Sequence, residues 1–176
     1  DLTGLTASQR TQCRPALTGL DAAARVQLAA RVLRAMELDR GLAPLVLLVG
    51  HGSQSANNAQ AAALDCGACC GQSGEVNARV LADLLNDATV REGLAQQGIT
   101  VPAATRFVAA LHNTTTDEIE WFDADGLSGV AGAALTRVRE AFAHACDQVR
   151  RERAALLGLD ARATHNALLE RLRRRA

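Results

Sequence analysis

Pro44-Leu45-Val46-Leu47-Leu48-Val49-Gly50-His51-Gly52-Ser53-Gln54-Ser55-Ala56-Asn57-Asn58 is the stretch on which the fold turns. Residues 44–49 are an uninterrupted apolar run bounded by Pro and Gly. Six apolar positions in a row leave no face for water, so the run predicts a buried interior strand of the kind found in parallel sheets. Gly50 to Asn58 then reads as a loop leaving the C-terminal end of that strand, the edge of an open α/β sheet where ligands collect.

Upstream, Val26, Ala29, Ala30 and Leu33 recur at helical spacing between Ala22 and Leu38, with Asp21 placed to cap the helix and Gly41 to end the pattern. Downstream, Ala59 to Leu64 reads as a helical turn. Glu75 to Gln97 reads as one long amphipathic helix, with Val76, Val80, Leu84 and Ala88 four apart, Leu81 and Leu85 widening the stripe, and Gly98 as its cap. A strand is expected from Arg106 to Leu111, followed by a polar turn from His112 to Asp117. Ile119 and Trp121 alternate with Glu118 and Glu120 as in a strand, although Thr115 and Glu118 also fit a capping box. Helices follow from about Gly129 to Leu156 and from Asp160 to Arg175. The expected fold class is α/β, a mainly parallel sheet flanked by helices. Its parts are an N-terminal helical segment (1–43), a strand and loop core (44–125) and C-terminal helices (126–176).

The only aromatic residues are Phe107, Trp121, Phe122 and Phe142, so the core rests on Leu, Val and Ala. Nineteen basic and nineteen acidic residues cancel, which removes the electrostatic case for nucleic-acid binding by the chain as a whole. No run approaches the roughly 18 apolar residues of a membrane-spanning helix, and the N-terminus lacks the charged-then-apolar pattern of a signal peptide; the chain reads as soluble. The five cysteines, an odd count, include three within five positions. That spacing is too tight for a plain disulfide framework and suggests metal or thiol chemistry in a reducing compartment.

Two residues stand out for chemistry. His51 sits between Gly50 and Gly52, whose missing side chains let a backbone approach a ligand closely. It is either a metal ligand or an imidazole that merely caps a strand end. Cys66 stands in Asp65-Cys66-Gly67-Ala68-Cys69-Cys70-Gly71. Thiolate and imidazole together suit Zn²⁺, while small buried cysteines packed beside a helix start are the alternative. Cys66-Gly67-Ala68-Cys69 also has the Cys-x-x-Cys form of thiol oxidoreductases, but the expected strand ends well before it, unlike the strand-to-helix entry such enzymes use. His112 and Asn113 open a Thr-rich turn that supplies hydrogen bonds either to a ligand or to its own backbone. His144 and His165 have no partner at helical spacing and are read as surface or core residues. The arginines from Arg171 to Arg175 read as a solvated helix end.

Taken together, Leu45 to Asn58, Asp65-Cys66-Gly67-Ala68-Cys69 and Ala110-Leu111-His112-Asn113-Thr114-Thr115-Thr116-Asp117 resemble the DabA family, the large zinc-binding subunit of a bacterial inorganic-carbon accumulation system. The resemblance implies a zinc site like that of β-carbonic anhydrases, with His51 and Cys66 as ligands and Asp65, His112 and Asn113 as supporting hydrogen-bonding groups. The family's other Cys and its Asp belong to an upstream Cys-x-Asp-x-Arg segment absent from these residues, so the chain reads as an internal part of a larger protein carrying half the site. It departs from the family at Ala59, where Pro is usual, and at Cys70, where Gly is usual. The function implied is hydration of CO₂ to bicarbonate, coupled to an ion gradient by a membrane subunit of the proton-translocating type, at the cytoplasmic face of the cell membrane. The alternatives are a thiol-disulfide redox protein using Cys66 and Cys69, and a docking segment with no active site of its own.

Overall fold

The computed structural model describes residues 13–55 and 60–174. Ala59, the expected start of a helical turn, lies outside them. Helix α1 spans Ala22–Ala35, and the Asp21 side chain accepts a hydrogen bond from the Ala24 amide at 2.8 Å, as the capping pattern requires. Strand β1 is Leu45–Gly52, β2 is Arg106–Asn113 and β3 is Glu118–Phe122. Between β1 and β2 lie a short helix α2 (Ala61–Leu64), a 3₁₀ turn (Gly67–Cys69), α3 (Glu75–Asn86) and α4 (Ala88–Gln96). Beyond β3 come the 28-residue α5 (Gly129–Leu156) and α6 (His165–Arg173).

The sheet is ordered β1-β2-β3. β1 pairs parallel with β2 from Leu45 opposite Arg106 to Gly52 opposite Asn113, and β2 pairs antiparallel with β3. The α/β class is as expected, but the three-stranded sheet is mixed rather than mainly parallel. The tight turn from Thr114 to Asp117 returns the chain at once, and a connection that short permits only an antiparallel neighbour.

The apolar run does form a strand, but its expected interior position is corrected: among the described residues β1 is an edge strand, Val49 is 46% exposed, and only Leu48 of the run is buried. An apolar run reports that both faces are covered, which differs from having a neighbour on both edges. Val46 and Leu48 pack into the core formed by α1, α3 and α4, where Leu33, Leu85, Leu94 and Phe107 are buried. Leu45 and Leu47 pack on the other face with Val108 and with Leu135 of α5. The central strand is β2, whose residues 107–110 are all buried.

The expected helix from Glu75 to Gln97 is two helices, and the side chains at the break explain it. Asn86 leaves the helical path to bond the start of β2, donating from Nδ2 to the Phe107 carbonyl (2.7 Å) and accepting from the Phe107 amide (3.2 Å). Asp87 then caps α4, accepting from the Val90 amide at 3.1 Å, and pairs with Arg25 of α1 at 3.1 Å. The buried stripe of α3 also differs from the expected one: Val76 is 55% exposed, whereas Ala78, Ala82, Leu84 and Leu85 are buried. Gly98 ends α4 at φ +80°, as expected of a helix C-cap. The last helix begins at His165 rather than near Asp160, since Thr164 accepts from the Ala167 amide and so fixes its N-cap.

Asp87→Ala removes this cap and leaves Arg25 without its partner; it should lower unfolding stability by about 1 kcal/mol, read as a shifted denaturation midpoint. An unchanged midpoint would show that the break between α3 and α4 is held by Asn86 alone.

Candidate functional site

A cleft of about 290 Å³ runs along the open edge of β1. Four consecutive residues, Leu48 to His51, line it. Side chains alternate along a strand, so a row of neighbours can border one cleft only at a strand's edge. Cys66 and Cys69 form the second side, and Asn77, Ala78 and Leu81 of α3 form the floor. His51 and Cys66, singled out from the sequence, thus border the same cleft although residues 52–65 separate them.

Backbone contacts hold the two sides together. The Gly74 amide donates to the His51 carbonyl at 2.8 Å, bringing the start of α3 onto β1. The approach is so close that a Cβ on Gly50 would lie 2.5 Å from the Gly74 carbonyl oxygen, which explains the glycine there. Asp65 ties the cysteine loop to the end of β1: its Oδ1 accepts from the Ser53 amide at 2.6 Å and from the Ser53 hydroxyl at 3.0 Å. Cys66 in turn closes its own loop, with its amide bonded to the Gln72 carbonyl and its carbonyl accepting from Cys69 and Gly71.

The two cleft thiols touch. A hydrogen bond from Cys69 holds the Cys66 thiol below its ordinary range, assisted by the backbone at Cys69 and Ala68 against a smaller opposing effect of burial. The same bond pushes the Cys69 thiol up, while Asn77 Nδ2, 3.2 Å from its sulfur, partly offsets the rise. Cys66 is therefore the better thiolate donor of the pair. Cys70 faces solvent at φ 57°, ψ 41°, a left-handed conformation that suits Gly better than Cys.

The remaining sequence candidates fall elsewhere. His51 and His112 lie within their strands rather than in loops, because β1 runs three residues and β2 two residues further than the apolar runs, and the register sets them opposite each other. His112 nevertheless bonds Asp117, with Nε2 3.2 Å from Oδ1, and Arg153 takes the other Asp117 oxygen. Asn113 Oδ1 accepts from the Thr115 and Thr116 amides at 3.0 and 3.3 Å, so the polar turn satisfies its own backbone. His144 is exposed, and His165 pairs with Asp147 at 2.9 Å. Among the described residues no cluster of three or more His, Cys, Asp or Glu side chains could hold a metal ion. His51 and Cys66 by themselves offer a metal ion two donors. Sequence reasoning missed Asn77, whose one visible signal was a poor helix former in the first turn of an otherwise strong helical pattern.

Asp65→Ala cuts the tie between the two sides of the cleft. It should lower stability by about 1–2 kcal/mol and speed hydrogen exchange at the Ser53 amide; unaltered exchange there would mean that the Gly74 bond alone closes the site. Cys70→Gly relieves left-handed backbone strain and should raise stability by up to about 1 kcal/mol, measured by thermal unfolding; a loss would show that the thiol itself supports the loop.

Comparison with known proteins gives one family. The model for "Probable inorganic carbon transporter subunit DabA" matches residues 2–176. Curated relatives with that name are 63% identical in Burkholderia multivorans and 66% identical in Paracidovorax citrulli, each over the whole of this chain but only 20% and 21% of the relative. The "Probable inorganic carbon transporter subunit DabA2" of Halothiobacillus neapolitanus is 49% identical over 89% of this chain and 20% of its own length. The chain thus spans about a fifth of the length of the relatives it matches. No solved structure matches it significantly. With the family model covering almost every residue, the chain belongs to the DabA family.

Proposed function

We propose that this chain supplies one side of a zinc site that hydrates CO₂ to bicarbonate within an inorganic carbon transporter, with His51 and Cys66 as two of the ligands. The observation that carries this reading is their meeting on one cleft at the open edge of β1, braced by the Gly74 and Asp65 bonds. Imidazole nitrogen and a thiol biased toward thiolate are donors of the type zinc prefers. When bound, zinc supplies the Lewis acidity that makes water a nucleophile for CO₂ near neutral pH. The chain's own residues hold the ligands: β1 fixes His51, the Cys66–Gln72 bridge fixes the thiol, and Asp65 sets their separation. The apolar floor at Ala78 and Leu81 suits an uncharged substrate such as CO₂.

Two donors leave a divalent ion half coordinated, so the remaining ligands come from parts of the protein outside this chain. Among the described residues no helix is long and apolar enough to cross a membrane. The relatives' names make each of them a transporter subunit, which supports a membrane-embedded partner. We assign that partner to the proton-translocating type and this chain to the cytoplasmic face, in keeping with its free thiols.

The contact between Cys66 and Cys69 also supports a second reading, a dithiol that cycles to a disulfide. Against it, Cys66 precedes a 3₁₀ turn of only three residues instead of the long helix whose N-terminus activates such thiols.

Metal analysis separates the two. At the full length of its relatives the purified protein should carry near-stoichiometric zinc, which His51→Ala and Cys66→Ser remove and which Cys69→Ser and His144→Ala leave in place. Zinc retained in the first two variants would defeat the ligand assignment, and a reversible Cys66–Cys69 disulfide in a zinc-free protein would favour the dithiol.

A further inference from the structure

A groove of about 220 Å³ lies between β3, α5 and α6 and shares no lining residue with the cleft of His51 and Cys66. Trp121 and Phe142 form its apolar wall, meeting edge to face with ring centroids 5.8 Å apart. Arg139 lies over the Trp121 ring at 5.5 Å, and Arg150 lines the groove while being only 3% exposed.

Two acids and two arginines line this groove, but the acids are engaged by residues outside it. Arg150 Nη1 donates to the Thr116 and Asp117 carbonyls at 3.1 and 2.8 Å, but Nε has no acceptor among the described residues. Nη2 is 3.4 Å from His165 Nδ1, yet that nitrogen is closer, at 2.9 Å, to Asp147 Oδ1. Arg151 and then His165 hold the Asp147 carboxyl below its usual range, so Nδ1 donates to a carboxylate and has no lone pair for Arg150. A guanidinium buried with only main-chain carbonyls for acceptors is costly unless an anion joins it. The acids on the groove wall do not fill that place. Asp117 is bonded to Arg153 and His112, and Glu118 to Arg173; neither arginine partner lines the groove.

We propose that this groove binds a small planar oxyanion of the carboxylate class, bicarbonate included, with Arg139 and Arg150 as its cationic donors and Trp121 and Phe142 as its apolar wall. Guanidinium groups present parallel N–H donors that match two oxygens of a planar anion. The size of the groove admits such a molecule, and a single spherical halide cannot engage two parallel N–H donors with two oxygens. The inference is independent of the zinc reading, since it uses none of the same residues.

Trp121 is the only tryptophan in the chain, so its fluorescence reports occupancy. Sodium bicarbonate and sodium acetate are titrated separately at mildly alkaline pH and constant ionic strength, with sodium chloride as reference. The same series is run by ¹³C line broadening of labelled bicarbonate and acetate on the polypeptide at the full length of its relatives. A saturable response to either oxyanion and none to chloride is expected; bicarbonate alone or acetate alone then identifies the source. In Arg139→Gln and in Arg150→Lys the midpoint should rise about ten-fold or more, the loss of one charge-assisted hydrogen bond, with circular dichroism unchanged. If Arg150→Lys fails to fold, Arg139→Gln decides. A chloride response equal to the others, no saturation, or an unmoved midpoint in Arg139→Gln overturns the proposal.

Discussion

The contact between β1 and the start of α3 is the constraint on which the site depends. Two glycines, Gly50 and Gly74, allow two backbones to approach until there is no room for a Cβ between them, and the His51 carbonyl accepts the Gly74 amide across the gap. The described residues just before Gly74 are thereby held against the edge of the sheet, and Cys66 lies within reach of the strand that carries His51. Closing a loop of this length costs only a modest entropy that grows slowly with length. The Asp65 bonds to Ser53 and the Cys66–Gln72 bridge then offset part of that cost locally.

The same principle governs the far side of the sheet. Arg150 and Arg153, on α5, hold the carbonyls and carboxylate of the turn joining β2 to β3. These charge-assisted bonds fasten α5 to the sheet beside a small apolar cluster, whose buried members are Val108, Ala124 and Leu135. A chain with few aromatic residues must find rigidity in such polar fastenings, and they leave cationic side chains at positions where an anion can meet them.

Much of this was legible in the sequence, for identifiable reasons. Asp21, Gly98 and the alternation of Ile119 with Trp121 carry local chemistry that tertiary packing did not override, so a capped helix, a helix end and a strand stand where the residues placed them. His51 was legible as a candidate because Gly50 precedes it where two backbones crowd, and Cys66 because it opens a tight cluster of cysteines, although Gly67 beside it stands in open space. What local pattern could not show were choices made by distant partners. Asn86 reads as an ordinary helical residue until Phe107 claims its amide, and the break before α4 follows from that bond. The apolar run of β1 announces two covered faces but is silent about its edges, so its place at the side of the sheet was invisible. The turn at His112 read either as support for a ligand or as a partner for its own residues, and the sequence could not show that the buried carboxylate of Asp117 five residues on bonds its imidazole.

The central claim is that His51 and Cys66 share one zinc ion, and zinc X-ray absorption on the protein at the full length of its relatives tests it most directly. The expected spectrum has mixed shells, nitrogen or oxygen at about 2.0–2.1 Å and sulfur at about 2.3 Å. His51→Ala should remove one nitrogen scatterer, and Cys66→Ser should remove one sulfur scatterer, in whatever zinc each variant retains on reconstitution. A spectrum without sulfur, or one that neither substitution alters, would contradict the assignment.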